Sequence, residues 1–201
     1  MQRTKFSVVY RVTNQQMSQT KQIHHSIIQR CRKNDARAQM ELYNLYCKAM
    51  FLVAKRYMKD DMAAEDVMQD AFIKAFRKID TYKGEVTFGS WLKRIVINQS
   101  IDELKKKRLE LVSINHETHE VLEDNDWHVE DSTTMQQILN CMKELKEKYR
   151  VVLSLYLLEG YDHQEISQIL GITEVTSRTH LLRGKKKLQE NLKHMRYAEG
   201  Y

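Results

Sequence analysis

Apolar residues along the chain recur every three to four positions, the period of helices that bury one face. Asp35 is a good N-cap for a helix to about Met58, with Leu42, Leu45, Ala49 and Leu52 at helical spacing. Asp60 and Asp61 cap a second helix to about Ile79, whose inward stripe reads Met68, Phe72, Ala75, Phe76 and Ile79. "DTYKGEV" follows as a loop, and Thr87 caps a third helix, "TFGSWLKRIVINQSIDELKKKR". That helix is apolar on two sides. Phe88, Trp91, Leu92, Ile95 and Val96 fall within an arc of about 140°, while Ile97, Ile101 and Leu104 lie on the other side. The edge between them carries Trp91, Arg94, Asn98 and Lys105.

The C-terminal third repeats the helical pattern with sharper punctuation. Asp131 or Ser132 can cap a helix to roughly Glu144, and a second, from about Glu147 to Leu158, is apolar through Val151, Val152, Leu155 and Leu158. Asp162 followed three residues later by Glu165 has the form of a capping box. Gly171 supplies a left-handed turn, and Thr173 caps a final basic helix. Helix, short glycine-containing turn and basic helix at this spacing is the helix-turn-helix pattern. On the last helix Ser177, Leu181, Leu188 and Leu192 share the core side. Thr176, Thr179, Leu182, Arg183, Lys186 and Lys187 gather opposite, with Arg178 and Lys185 at the margin.

Composition agrees with a helical, globular chain: 201 residues, no proline, six glycines, 42% hydrophobic and 30% charged. The fold class expected is all-α, two small helical domains joined by an acidic linker. Residues 20–108 form the first domain, 109–131 the linker and 132–196 the second. Residues 1–19 are an extension whose "FSVVYRV" finds no second strand, and Met17 is an alternative start to Met1. The three cysteines, Cys31, Cys47 and Cys141, have no CxxC spacing, against a disulfide framework or zinc site and in keeping with a cytoplasmic protein. No apolar run approaches the ~18 residues of a membrane span.

Net charge is +6, but its distribution says more. Between Arg108 and Lys143 no Lys or Arg occurs, whereas eight acids do; the rest of the chain sets 33 bases against 19 acids. Such flanks call for an anionic partner. On the last helix, short hydroxyls beside long cations suit a major groove, where Arg and Thr reach base edges and Lys the backbone. The Trp91, Arg94, Asn98, Lys105 edge has two readings: ordinary core and surface, or a platform for accessible bases, with an aromatic to stack and cations to hold phosphates. A third surface, Asp66, Gln69, Ile73 and Arg77 with Asp70 beside it, is acid and amide. Solvated helix face is one reading of it; a protein-docking patch is the other.

The segments "AEDVMQDAFIKAFRKIDTYKGEVTFGSWLKRIVINQSIDELKKKR" and "EGYDHQEISQILGITEVTSRTHLLRGKKKL" resemble regions 2 and 4 of the extracytoplasmic-function type of sigma-70 family sigma factors. The resemblance implies partners: core RNA polymerase, through its β′ and β subunits, promoter DNA, and for many members an anti-sigma protein. It implies that Asp66, Gln69 and Asp70, with Ile73, dock on the polymerase. It assigns the loop with Tyr82 and Lys83, and the edge of Trp91, Arg94, Asn98 and Lys105, to the −10 element and its melting. Thr176, Arg178, Thr179, Leu182, Arg183 and Lys186 fall to the −35 element. The linker is similar to those that enter the polymerase's RNA path. Departures are Lys146 for the usual proline, and Val175, Ser177 and His180 for the commoner Gly, Val and Arg.

No nucleophile–base pair, metal-ligand spacing or phosphate-cradling loop is evident, so neither catalysis nor a cofactor is expected. The alternative function is a helix-turn-helix regulator that binds duplex DNA without polymerase. Clustered carboxylates for a nucleic-acid enzyme are missing outside the linker, where the acids lack ordered spacing.

Overall fold

The computed structural model describes residues 24–110 and 133–198. The expected N-terminal extension and most of the acidic linker, with the candidate caps Asp131 and Ser132, therefore lie outside the described residues. The chain divides at Glu110 into two compact units. The first contains α1 (His25–Arg32), α2 (Ala36–Ala54), α3 (Asp61–Arg77), a 3-10 turn (Ile79–Thr81) and α4 (Phe88–Glu110). The second contains α5 (Met135–Lys143), α6 (Glu147–Leu153) running into a π-helical turn (Ser154–Leu158), α7 (His163–Leu170) and α8 (Glu174–Ala198). No strand occurs among the described residues.

Side-chain capping sets the starts of α2, α3 and α4. The Asp35 carboxylate accepts from the amides of Arg37 and Ala38 at 2.9 and 3.2 Å. Arg30 donates to the same carboxylate at 2.8 Å, and that bond holds it below the usual carboxylate range. Asp60 accepts from the Ala63 amide at 2.7 Å, and Thr87 from the Ser90 amide at 3.2 Å. These side chains satisfy donors that the first helical turn leaves without partners.

The core of this unit runs through Leu42, Val53 and Ala54 of α2, Val67, Met68, Ala71, Phe72 and Ala75 of α3, and both sides of α4. α4 packs against α2 and α3 together. Two neighbours therefore account for its two apolar sides: Phe88, Leu92 and Val96 are buried, and so are Ile97, Ile101 and Leu104. Fully burying a leucine such as Leu42 or Leu92 contributes about 1.5–3 kcal/mol.

The stripe expected on α2 needs correction. Leu42 is buried, but Leu45 and Leu52 are 53% and 54% exposed, and Ala49 is exposed too. α2 is apolar around more than half its circumference, and periodicity alone cannot choose between overlapping stripes. Packing selects the side with Ala38, Leu42, Met50, Val53 and Ala54, continued by Tyr57. The small alanines on that side allow close approach. On α3 most of the expected stripe is buried, Met68, Phe72 and Ala75 on the helix and Ile79 in the turn after it, while Phe76 is half-buried.

In unit two, α5 starts at Thr134, whose capping box with Gln137 displaces the starts expected at Asp131 or Ser132. α6 begins at Glu147, as expected, after Lys146, which makes no side-chain cap. Its last turn widens, with the Glu159 amide reaching the Ser154 carbonyl at 3.1 Å. Val151, Val152, Leu153, Leu155 and Leu158 are all buried. α8 crosses α6 at Gly184, where a Cβ would stand 3.0 Å from Leu153 Cδ1 and 3.2 Å from Tyr149 Cβ.

Candidate nucleic-acid interface and docking face

Unit two contains the helix-turn-helix as its sequence implies. Asp162 and Glu165 close a reciprocal capping box, the carboxylate accepting from the Glu165 amide at 2.8 Å. Gly171 takes φ +66°, a left-handed conformation that glycine adopts without the Cβ penalty. Thr173 accepts from the Thr176 amide at 3.1 Å and starts α8. Ser177, Leu181, Leu188 and Leu192 are buried, so the opposite side of α8 is set outward. On it Arg178 and Lys186 are exposed, while Thr176, Thr179, Leu182 and Arg183 are half-buried. Arg178 pairs with Glu174 at 3.2 Å, one turn back. An exposed pair of this kind is weak.

One polar contact binds the two helices of this motif. His163 Nδ1 lies 2.9 Å from the hydroxyl of buried Ser177, and its ring stacks on Tyr156 at 4.9 Å. Burial, and then the positive charge of Arg178, push the imidazole below its ordinary pKa, which favours the neutral ring. The wheel put Ser177 in the core, and a buried hydroxyl requires a partner. That was the available signal; nothing along the chain singled out His163 to supply it. His180 meets Tyr149 edge-on at 5.7 Å.

In unit one the acid and amide residues of α3 are displayed together. Asp66, Gln69 and Asp70 are exposed, and Ile73 is 50% exposed, although it is a large aliphatic. Gln69 donates to Glu65 at 3.2 Å. A chain of polar contacts ties this helix to α4: Gln99 lies 3.5 Å from Asp70 and accepts from Lys74 at 3.3 Å, and Lys74 lies 3.6 Å from Asp102. No local pattern points to this pairing, because it joins residues 25 to 29 positions apart on two different helices.

The expected edge of α4 is also displayed. Arg94, Asn98 and Lys105 are exposed, and Trp91 is half-buried. Trp91 belongs to an aromatic cluster, with ring centroids 5.4 Å from Tyr82 and 5.5 Å from Phe88. Tyr46 extends the cluster behind Phe88 at 5.4 Å. Tyr82 itself is turned inward: it is buried, and its hydroxyl donates to the Val86 carbonyl at 2.7 Å. Arg32 donates to the Tyr82 carbonyl. Tyr82 thus shapes the Lys83–Val86 loop from beneath, and Lys83, Glu85 and Val86 are exposed on that loop. Tyr82 was expected on the binding surface itself. A phenol ring buries well, and its hydroxyl finds a partner inside the loop.

Among the described residues, no group of three or more His, Cys, Asp or Glu could hold a metal ion, and no helix is long and apolar enough to cross a membrane.

Comparison with known proteins matches residues 42–110 to the family model described as Sigma-70 region 2, and residues 135–188 to Sigma-70, region 4. The two matches fall one in each compact unit. The extracytoplasmic-function RNA polymerase sigma factor SigW of Bacillus subtilis is 29% identical over 180 residues, 83% of this chain and 95% of that protein. The RNA polymerase sigma-H factor of Pseudomonas aeruginosa is 25% identical, across 86% of this chain and 95% of its own. Among solved structures, a sigma factor RpoE in complex with the anti-sigma factor NepR from Bartonella quintana aligns with 77% of this chain at 22% identity and a TM-score of 0.48. This chain belongs to the sigma-70 family of RNA polymerase sigma factors, in its extracytoplasmic-function class.

Proposed function

We propose that this sigma factor binds core RNA polymerase through the outward side of α3, reads the −35 element with α8, and engages and melts the −10 element with the loop after α3 and the edge of α4. The observation that carries the reading is the pairing, in one chain, of an exposed acid and amide face on α3 with a cationic helix-turn-helix surface on α8. The first would be repelled by DNA, so its fitting partner is a protein; the second suits phosphates and base edges. On α4 of the first unit, Trp91, Arg94, Asn98 and Lys105 put an aromatic beside cations and an amide. That combination fits a strand being opened better than one that stays closed.

Run-off transcription with purified core polymerase and a promoter library tests the whole reading. Initiation that depends on this protein is expected; its absence, with tight binding to duplex DNA by the protein alone, would make the chain a conventional regulator. Two substitutions dissect it. Asp66→Lys combined with Gln69→Ala should weaken capture of core polymerase by about tenfold or more, the scale of a hot-spot loss. Both side chains are exposed, so the thermal transition should not move. Undiminished capture would remove the α3 face from the interface. Arg183→Ala should cost about 1–3 kcal/mol in recognition of the upstream element if Arg183 reads a base. An equal loss on every upstream sequence would make it a phosphate contact.

A further inference from the structure

α8 carries a bare aliphatic side chain in the middle of its cationic face. Val175 is 62% exposed, although it stands on a helix whose opposite side supplies core residues. At 100° per residue it lies roughly 140° around from the buried Ser177, Leu181 and Leu188 side. It therefore lies away from the packed side of this unit. Thr179 and Leu182 follow it on the same outward face and are half-buried. The Thr179 hydroxyl donates to the Val175 carbonyl at 2.9 Å. Its one proton is committed to its own helix, so toward a partner it offers its methyl and an oxygen that can only accept. Val175, Thr179 and Leu182 thus make an apolar strip bordered by Arg178, Arg183 and Lys186.

The cations on both sides identify the occupant: a polyanion whose phosphates flank a groove. Within a major groove the one apolar feature a base pair displays is the C5-methyl of thymine. We propose that Val175, with Thr179 and Leu182, reads thymine methyl groups in the upstream promoter element, so that part of this protein's promoter choice is made by apolar contact rather than by hydrogen bonds. The inference rests on α8 being the major-groove helix of the proposed function. Val175 sits at the second residue of that helix, in the N-terminal turn through which recognition helices meet base edges.

Replacing thymine by deoxyuridine removes the methyl and leaves every hydrogen-bonding atom of the base pair in place. The test uses the full chain with core RNA polymerase on an upstream element selected from a promoter library. Each thymine of that element is replaced singly by deoxyuridine, and holoenzyme affinity is measured. At one or two positions affinity should fall roughly fourfold, the worth of one buried methyl-sized group. With Val175→Ala the penalty at one of those positions should shrink to less than about twofold, the signature of a direct coupling. The exposure of Val175 makes this substitution neutral for folding, which an unchanged melting temperature will verify. A selected element without A·T pairs, deoxyuridine tolerated at every position, or a penalty that Val175→Ala leaves untouched would overturn the proposal. Failure to initiate at any promoter is a separate outcome: it overturns the sigma-factor role of α8 and this inference with it.

Discussion

Gly184→Val should destabilise the second unit by about 3 kcal/mol or more, and Gly184→Ala by less, about 0–2 kcal/mol. Two effects oppose each other at this position. Removing a glycine from a helix interior is worth up to about 1 kcal/mol when alanine replaces it. Against that, the new Cβ would meet Leu153 Cδ1 at 3.0 Å, Leu153 Cγ at 3.2 Å and Tyr149 Cβ at 3.2 Å. Leu153 and Tyr149 are themselves buried, so neither has room to retreat. Overpacking of this kind costs about 1–3 kcal/mol for small insertions, enough to cancel alanine's gain. Valine recovers less in propensity and adds two methyl groups to the same contact. For a unit of this size the valine variant should melt at least 10 °C lower, as followed by circular dichroism. It should also lose upstream-element recognition, because α8 is seated on α6 at this point. A valine variant that melts like the native protein would mean that α6 and α8 do not meet there.

Tyr82→Ala is expected to cost about 3–5 kcal/mol in the first unit, the range for truncating a buried aromatic. The ring lies 5.6 Å from Phe88 and 5.4 Å from Trp91, so its removal opens a hole beneath the loop and leaves Trp91 without one of its supports. Tyr82→Phe separates packing from hydrogen bonding. It keeps the ring and loses only the bond to the Val86 carbonyl, worth about 1 kcal/mol. Since Val86 is exposed, water can take over at that carbonyl. The phenylalanine variant should therefore melt within a few degrees of the native protein yet open promoters less well if the loop's shape matters to melting. Permanganate footprinting of the −10 region reads that directly. Equal stability of the alanine variant and the native protein would show that Tyr82 is not core.

How much of this was legible in the sequence depends on the distance over which each feature is specified. Asp35, Asp60, Thr87, Asp162 and Thr173 act within three residues of themselves, and each caps as its sequence implies. The positive φ of Gly171 is equally local. The wheel of α8 placed its four core residues correctly because one side of that helix is plainly apolar. On α2 the same method failed, since apolar residues flank Leu42 on both sides and only the neighbouring helices choose. Tyr82 came to the −10 surface by resemblance alone, and its burial depends on a cluster with Phe88 and Trp91 that no local pattern specifies. Gly184 and the His163–Ser177 bond depend on two helices meeting. An isolated glycine within a helical pattern marked one half of the first case, and a serine among leucines one half of the second, but neither names its opposite partner.

Cys31 gives the first unit a chemical temperament as well as a filler. It is buried against α2, and desolvation, followed by the charge of Asp35, pushes its thiol up to about 11. At neutral pH the reactive thiolate is then only about one part in ten thousand. An oxidant or electrophile meets Cys31 as an inert, methyl-like group. Cys31 therefore serves this unit as a space-filling side chain rather than as a nucleophile.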